Sequence, residues 1–139
     1  MKKVICMLLV VFAFFTSQLV YAKEPQAFAD DFFKLIRSGK ISEAYDQLLQ
    51  GSQIPAQKPQ AVEVLKKQTE TALPIFGNIV GVEKIREEKI GTSIVRLVYV
   101  LKSEMAPTVW ELYFYKPKAD WFLGNIMFND QFQLLHTIQ

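Results

Sequence analysis

The chain has 139 residues, half of them hydrophobic, with 16 Lys and Arg against 14 Asp and Glu, one His and one Cys. That length fits a single domain, and charges of both signs interspersed along it give no basic footprint for nucleic acid and no polybasic stretch for an anionic membrane surface. One cysteine excludes an intramolecular disulfide, and one histidine excludes a His-rich metal site.

The N-terminus reads as a secretory signal peptide over residues 1–22. Lys2 and Lys3 precede an uncharged apolar run from Val4 to Phe15, which gives way to Thr16, Ser17 and Gln18. The run suits a signal core of about 7 to 15 residues and falls short of the about 20 a spanning helix needs. Val20, Tyr21 and Ala22 place compact residues before an expected cleavage at Lys23. Cys6 lies ahead of most of the apolar run, so it is no lipid-attachment site, and cleavage leaves 14 basic and 14 acidic residues and no thiol. The expected product is one exported domain over residues 23–139, periplasmic or secreted, free of the membrane after cleavage.

Helical periodicity follows. Phe28, Phe32, Leu35 and Ile36 recur at one-face spacing behind Pro25 and before Gly39, which predicts a helix from Pro25 to about Arg37. Ile41, Ala44, Tyr45, Leu48 and Leu49 predict a second, with Ser42 as its cap and Gly51 as its stop. Gly51 to Lys58 reads as a loop. Pro59 opens a third helix through Ala61, Leu65, Thr69 and Ala72, which Pro74 should end near Leu73.

Beyond Gly77 the pattern changes to β-branched and aromatic runs: Ile79 to Ile90, Ser93 to Lys102, Thr108 to Tyr115 and Trp121 to Asn129. Their short links predict antiparallel hairpins, and Phe132, Leu134, Leu135 and Ile138 make a C-terminal tail. Helices first and a meander second predict an α+β fold with three N-terminal helices packed on one face of a curved four-stranded antiparallel sheet.

Two sequence stretches carry a resemblance. Phe32-Phe33-Lys34-Leu35-Ile36-Arg37-Ser38-Gly39-Lys40 running into Ala44-Tyr45 resembles the helix, small-residue turn and second helix that open NTF2-like or cystatin-like cone folds. Phe114-Tyr115-Lys116-Pro117 with Trp121-Phe122-Leu123 resembles their penultimate hairpin. The resemblance covers nearly all of residues 23–139 and points to the small exported bacterial members of unknown function. It implies a fold rather than a chemistry. Enzymes of this fold use a pocket between sheet and helices, with an acid, a histidine or a tyrosine acting on a small apolar substrate.

No catalytic set is assigned on that model. His136 is the fourth residue from the C-terminus, without an identifiable acid partner, and Asp30 and Asp31 are as well explained by the dipole of the first helix as by a base near a pocket mouth. Glu83, Glu87 and Glu88 alternate with Lys84, Arg86 and Lys89 as on a solvated strand edge. No metal, phosphate-loop or cofactor motif stands out, and no cofactor is expected. The competing expectation is a non-catalytic binding or accessory module: Tyr45, Tyr99 and Trp110 either line a pocket for a small apolar ligand or fill the core.

Strand parity gives one further expectation. Pairing the charge-free sets assigns Val95, Leu97, Tyr99 and Leu101, then Trp110, Leu112 and Phe114, then Phe122, Ile126 and Phe128 to the core face. The opposite face keeps Tyr113, Tyr115, Trp121 and Leu123 among other apolar residues, which predicts a homodimer or protein partner there, unless the C-terminal tail covers it.

Overall fold

A computed structural model describes residues 21–136. The signal segment up to Val20, with Cys6, and Ile138 of the tail lie outside them. Four helices precede four strands: α1 (Pro25–Arg37), α2 (Ile41–Leu48), α3 (Ile54–Gln57), α4 (Pro59–Ala72), then β1 (Ile79–Ile90), β2 (Ile94–Ser103), β3 (Thr108–Tyr115) and β4 (Phe122–Asn129). The sheet is an antiparallel meander in the order β1-β2-β3-β4.

Helix ends follow local chemistry. At the end of α1, Gly39 takes φ 74°, the Lys40 amide donates to the Leu35 carbonyl and the Gly39 amide to that of Ile36, a Schellman closure. The expected cap of α2 moves: the helix begins at Ile41 with Lys40 as N-cap, so Ser42 lies inside it. The expected loop holds the one-turn α3, opened by Pro55 and by the Ser52 hydroxyl, which accepts from the Ile54 amide at 3.2 Å. Pro74 does end α4, through a 3₁₀ turn over Leu73–Phe76. Lys66, buried on α4, ties that helix to α2 by donating to Asp46 Oδ1 at 2.7 Å, with Glu63 at 3.2 Å.

The core lies between the helices and one sheet face. Phe28, Phe32, Phe33 and Ile36 of α1 and Tyr45 and Leu48 of α2 meet Leu97, Tyr99, Leu101, Trp110, Leu112 and Phe114. Aromatic edges interlock at its centre: Phe32 meets Tyr45 at 5.3 Å and Trp110 at 5.6 Å, and Trp110 stacks on Phe128 at 4.4 Å.

Strand four corrects the parity expectation. Tyr113 pairs with Asn125 but Phe114 pairs with Leu123, so Gly124 is an extra residue on β4. An inserted residue exchanges inner and outer faces for everything on one side of it. Leu123, wholly buried, and Trp121, nearly so, therefore join the core, while Phe122 leaves the core face and packs edge-on against Tyr115 at 5.6 Å.

β1 is interrupted twice, between Ile79 and Gly81 and between Lys84 and Arg86. Val80 and Ile85 are the extra residues, and both are exposed. The second interruption matters for function. Lys84, Glu87 and Lys89 pair with Tyr99, Leu97 and Val95, all core-face residues, so these charges stand on the helix side of the sheet. Arg86 and Glu88 stand on the other side.

Candidate functional site

The residues singled out from the sequence separate into three places. Tyr45 and Trp110 are wholly buried, and their polar handles are spent inside the core. The Trp110 indole donates to Thr108 Oγ1 at 2.9 Å. Thr69 gives its one hydroxyl proton to the Leu65 carbonyl at 2.9 Å, so Tyr45 is the donor in its 2.8 Å bond with Thr69. Burial pushes the Tyr45 phenol up to about 12 against the lowering effect of that bond. Both side chains fill the core rather than line a cavity.

Tyr113 and Tyr115 lie on the outward sheet face, away from the helices. Tyr113 donates to Glu111 Oε2 at 3.1 Å, within a network in which Arg96 reaches Glu111 at 2.9 Å and Glu88 at 3.0 Å. Trp121 and Leu123 are separated from them by the bulge at Gly124. His136 is exposed at the end of the 3₁₀ turn Phe132–His136.

Tyr99 occupies the third place. It forms part of a cleft of about 630 Å³ between α1 and the β1–β2 edge of the sheet. Its ring lies 4.7 Å from that of Phe33, and the two make an aromatic floor with Ile79 and Val82 beside it. Helical spacing sets the opposite wall, because Gln26, Asp30, Lys34 and Arg37 succeed one another at three- and four-residue intervals along α1. Lys84 closes the cleft from β1.

A hydrogen-bond relay fixes the rim. The Gln26 amide nitrogen donates to Asp30 Oδ1 at 2.7 Å and to the Tyr99 hydroxyl at 2.8 Å, while its oxygen accepts from Lys84 at 2.8 Å. The reverse amide orientation would set its oxygen against the Asp30 carboxylate and its NH₂ against the Lys84 ammonium, so the partners fix this one. Lys84 also donates to Glu87 at 2.9 Å, and that bond is the main reason the Glu87 carboxyl is held below its ordinary range. Burial pushes the Tyr99 phenol up to about 12. The Gln26 bond opposes this, and the Asp30 and Glu87 carboxylates reinforce it. At neutral pH Tyr99 is therefore a hydrogen-bond donor and not a base. It accepts from Gln26, and its own proton has no acceptor among the described residues.

Asp30 thus lines the cleft, whereas Asp31 turns out to Lys23 at 2.7 Å. Sequence reasoning missed Gln26, Lys34, Arg37 and Lys84. The α1 stripe was legible as a polar row beside the apolar one, but Lys84 was not, because the β1 bulge decides which way it faces. Ser38, also at the rim, donates its hydroxyl to the Lys34 carbonyl at 2.8 Å and has no base beside it. Among the described residues no cluster of three or more His, Cys, Asp or Glu could hold a metal, and no helix is long and apolar enough to cross a membrane.

No protein-family model and no curated protein matches this chain. Among solved structures, it is similar to the crystal structure of a "Putative NTF2-like transpeptidase" from Campylobacter jejuni, at TM-score 0.54 and 11% identity over 73% of this chain and 97% of that one. Identity that low speaks to architecture alone. With four antiparallel strands behind N-terminal helices, the chain has an α+β fold of the NTF2-like kind.

Proposed function

We propose that this protein is an exported, non-catalytic binding module, and that its small-ligand site is the α1–β1 cleft rather than the interior between helices and sheet. One observation carries the reading: Phe32, Tyr45 and Trp110 close the interior, while the unsatisfied hydroxyl proton of Tyr99 and the free charges of α1 meet at the cleft. Transpeptidase is the name of the Campylobacter jejuni protein, and acyl transfer needs an activated nucleophile. Here the cleft's serine proton goes to a carbonyl and its tyrosine is held protonated, which favours binding over catalysis. Export is proposed on the N-terminal pattern, with cleavage before Lys23.

The test is native mass spectrometry on protein purified from the compartment to which it is exported. A retained small molecule, recovered unchanged after incubation with fresh protein and lost on Phe33→Ala, supports the reading. Its conversion to a product would overturn the non-catalytic part.

A homodimer or protein partner through the outer face is proposed on a different set of residues from those first expected. Ile90, Ile94, Tyr115 and Phe122 are paired in register across all four strands and form an apolar row on that face, where Ile90 and Tyr115 are exposed.

A further inference from the structure

Three charges of the cleft, Asp30, Lys34 and Arg37, follow one another along α1 without a counterion, while the fourth, Lys84, is paired with Glu87. Elsewhere among the described residues Lys58, Lys89, Lys116 and Lys118 also lack an ion pair, but they do not share one cleft wall with an unpaired carboxylate. Lys23, Lys40, Lys66, Lys67, Lys84 and Lys102 each have a carboxylate within 4 Å. Lys34 and Arg37 have neither an ion pair nor a side-chain hydrogen bond among the described residues, and both line the cleft. Asp30 has only the neutral Gln26 amide. The helix dipole accounts for cations in the last turn of α1. It does not account for Asp30 at mid-helix, nor for all three groups sharing the stripe that faces the cleft.

Spacing then selects a ligand. Along α1, Lys34 lies about 6 Å and Arg37 about 10 Å beyond Asp30 at 1.5 Å per residue. A chain of two or three amino acids, extended at about 3.5 Å per residue, puts its terminal ammonium and carboxylate about that far apart. Phe33 and Tyr99 are each at least 97% buried, so the floor between the charged ends is held rigid by the core. Ile79 and Val82 supply apolar surface for a side chain, and the Tyr99 O–H can donate to a peptide carbonyl or carboxylate oxygen. The Arg37 guanidinium suits a carboxylate because its fork donates two parallel bonds.

We infer that the α1–β1 cleft binds a short zwitterionic peptide of two or three residues, its ammonium at Asp30, its carboxylate at Lys34 and Arg37, and an apolar side chain over Phe33. This rests on the reading of the cleft as the ligand site.

Calorimetric titration of protein purified from its own cells with alanyl-phenylalanine tests the inference, alongside the N-acetylated and the C-amidated forms. Free dipeptide should bind, and each blocked form should bind about tenfold or more weakly, the loss of one charge-assisted contact. Arg37→Gln should weaken the free and acetylated forms about tenfold and leave the amidated form unmoved; Asp30→Asn should weaken the free and amidated forms and leave the acetylated one unmoved. Both residues are exposed, and circular dichroism of each variant is the check that it folds. Equal binding of free and blocked peptides, or binding of inorganic phosphate at Lys34 and Arg37 without binding of dipeptide, would overturn it. If dipeptide fails while a molecule retained from the cell shifts the Tyr99 and Phe33 NMR signals, the peptide inference falls and the cleft stands as the site. If that molecule's shifts map elsewhere, the cleft reading falls with it.

Discussion

Tyr45 and Tyr99 are two nearly or wholly buried phenols whose rings meet α1 at Phe32 and Phe33, and burial pushes both up to about 12. They differ in where the proton goes. Tyr45 hands it to Thr69, whose own proton is given to a helix carbonyl, so every polar atom in that corner is satisfied by the fold. Tyr99 only accepts, from Gln26, and keeps its donor at a cleft. Similar burial and titration therefore accompany two different roles, and the hydrogen-bond account, not the pKa, separates packing from recognition.

The largest expected effect lies on the packing side. Trp110→Ala removes a wholly buried ring that touches Phe32, Phe33 and Phe128, and should lower the unfolding free energy by about 4 kcal/mol in urea denaturation. A loss below about 1 kcal/mol would mean that the interior is not closed as described, and that the separation between sealed core and open cleft is misplaced.

Alkaline pH probes Tyr45 next. A phenol whose folded pKa lies above its unfolded value of about 10 contributes stability that is complete below pH 10 and is lost as pH rises towards the folded value near 12. Two units correspond to about 3 kcal/mol at most. Unfolding free energies at pH 9 and pH 11.5 should therefore diverge in the parent protein and diverge less in Tyr45→Phe, where the raised Tyr99 phenol remains. Tyr99→Phe should flatten the profile less, because the hydroxyl lies at a cleft that water reaches. Equal flattening would erase the distinction between the two phenols.

How much of this was legible in the sequence depends on whether a residue's role is set by period or by insertion. Phe28, Phe32 and Ile36 showed the buried face of α1 because helical spacing alone decides it. Strand parity placed Leu97, Tyr99, Trp110 and Phe114 on the core face for the same reason. It failed at β4, where Gly124 adds a residue and exchanges Phe122 with Leu123; on β1, whose charges read only as a solvated edge, the irregularity at Ile85 sets both Lys84 and Glu87 on the helix side. A bulge depends on both strands of a pair, so neither strand's sequence alone announces it. The cleft combines a legible α1 stripe with an illegible β1 wall, and for that reason only Tyr99 and Asp30 of it stand out from the sequence as candidate site residues.

At neutral pH the two tyrosines should separate again, by a smaller margin. Tyr45→Phe removes the proton that satisfies Thr69 in a site without water access, and should cost about 1 kcal/mol. Tyr99→Phe deletes a hydroxyl that only accepts, and water can serve Gln26 from the cleft. Its cost should stay within about 0.5 kcal/mol, the range of surface changes. Thermal unfolding of the two variants side by side measures the difference, and a Tyr99→Phe loss as large as that of Tyr45→Phe would make Tyr99 a structural residue first.

The smallest expected change in stability belongs to the outer face, where the informative readout is mass. Tyr115 is exposed, lies between Ile94 and Phe122 in the register of the sheet, and its ring meets that of Phe122 edge-on. Tyr115→Arg should therefore alter the unfolding free energy by no more than about 0.5 kcal/mol. If the row from Ile90 to Phe122 joins two copies across a twofold axis, each Tyr115 would lie close to its counterpart, and the substitution would set like charges in a desolvated centre. Light scattering after size exclusion, at tens of micromolar protein, should then show the parent at twice the mass of the variant. A parent that already runs as a monomer would remove the dimer and leave the apolar row for a different protein partner. A variant that stays dimeric would move the contact off this row altogether. Because Tyr113 is held by Glu111 and sits beside Arg96 in a charged network, Tyr113→Arg should have the weaker effect on mass.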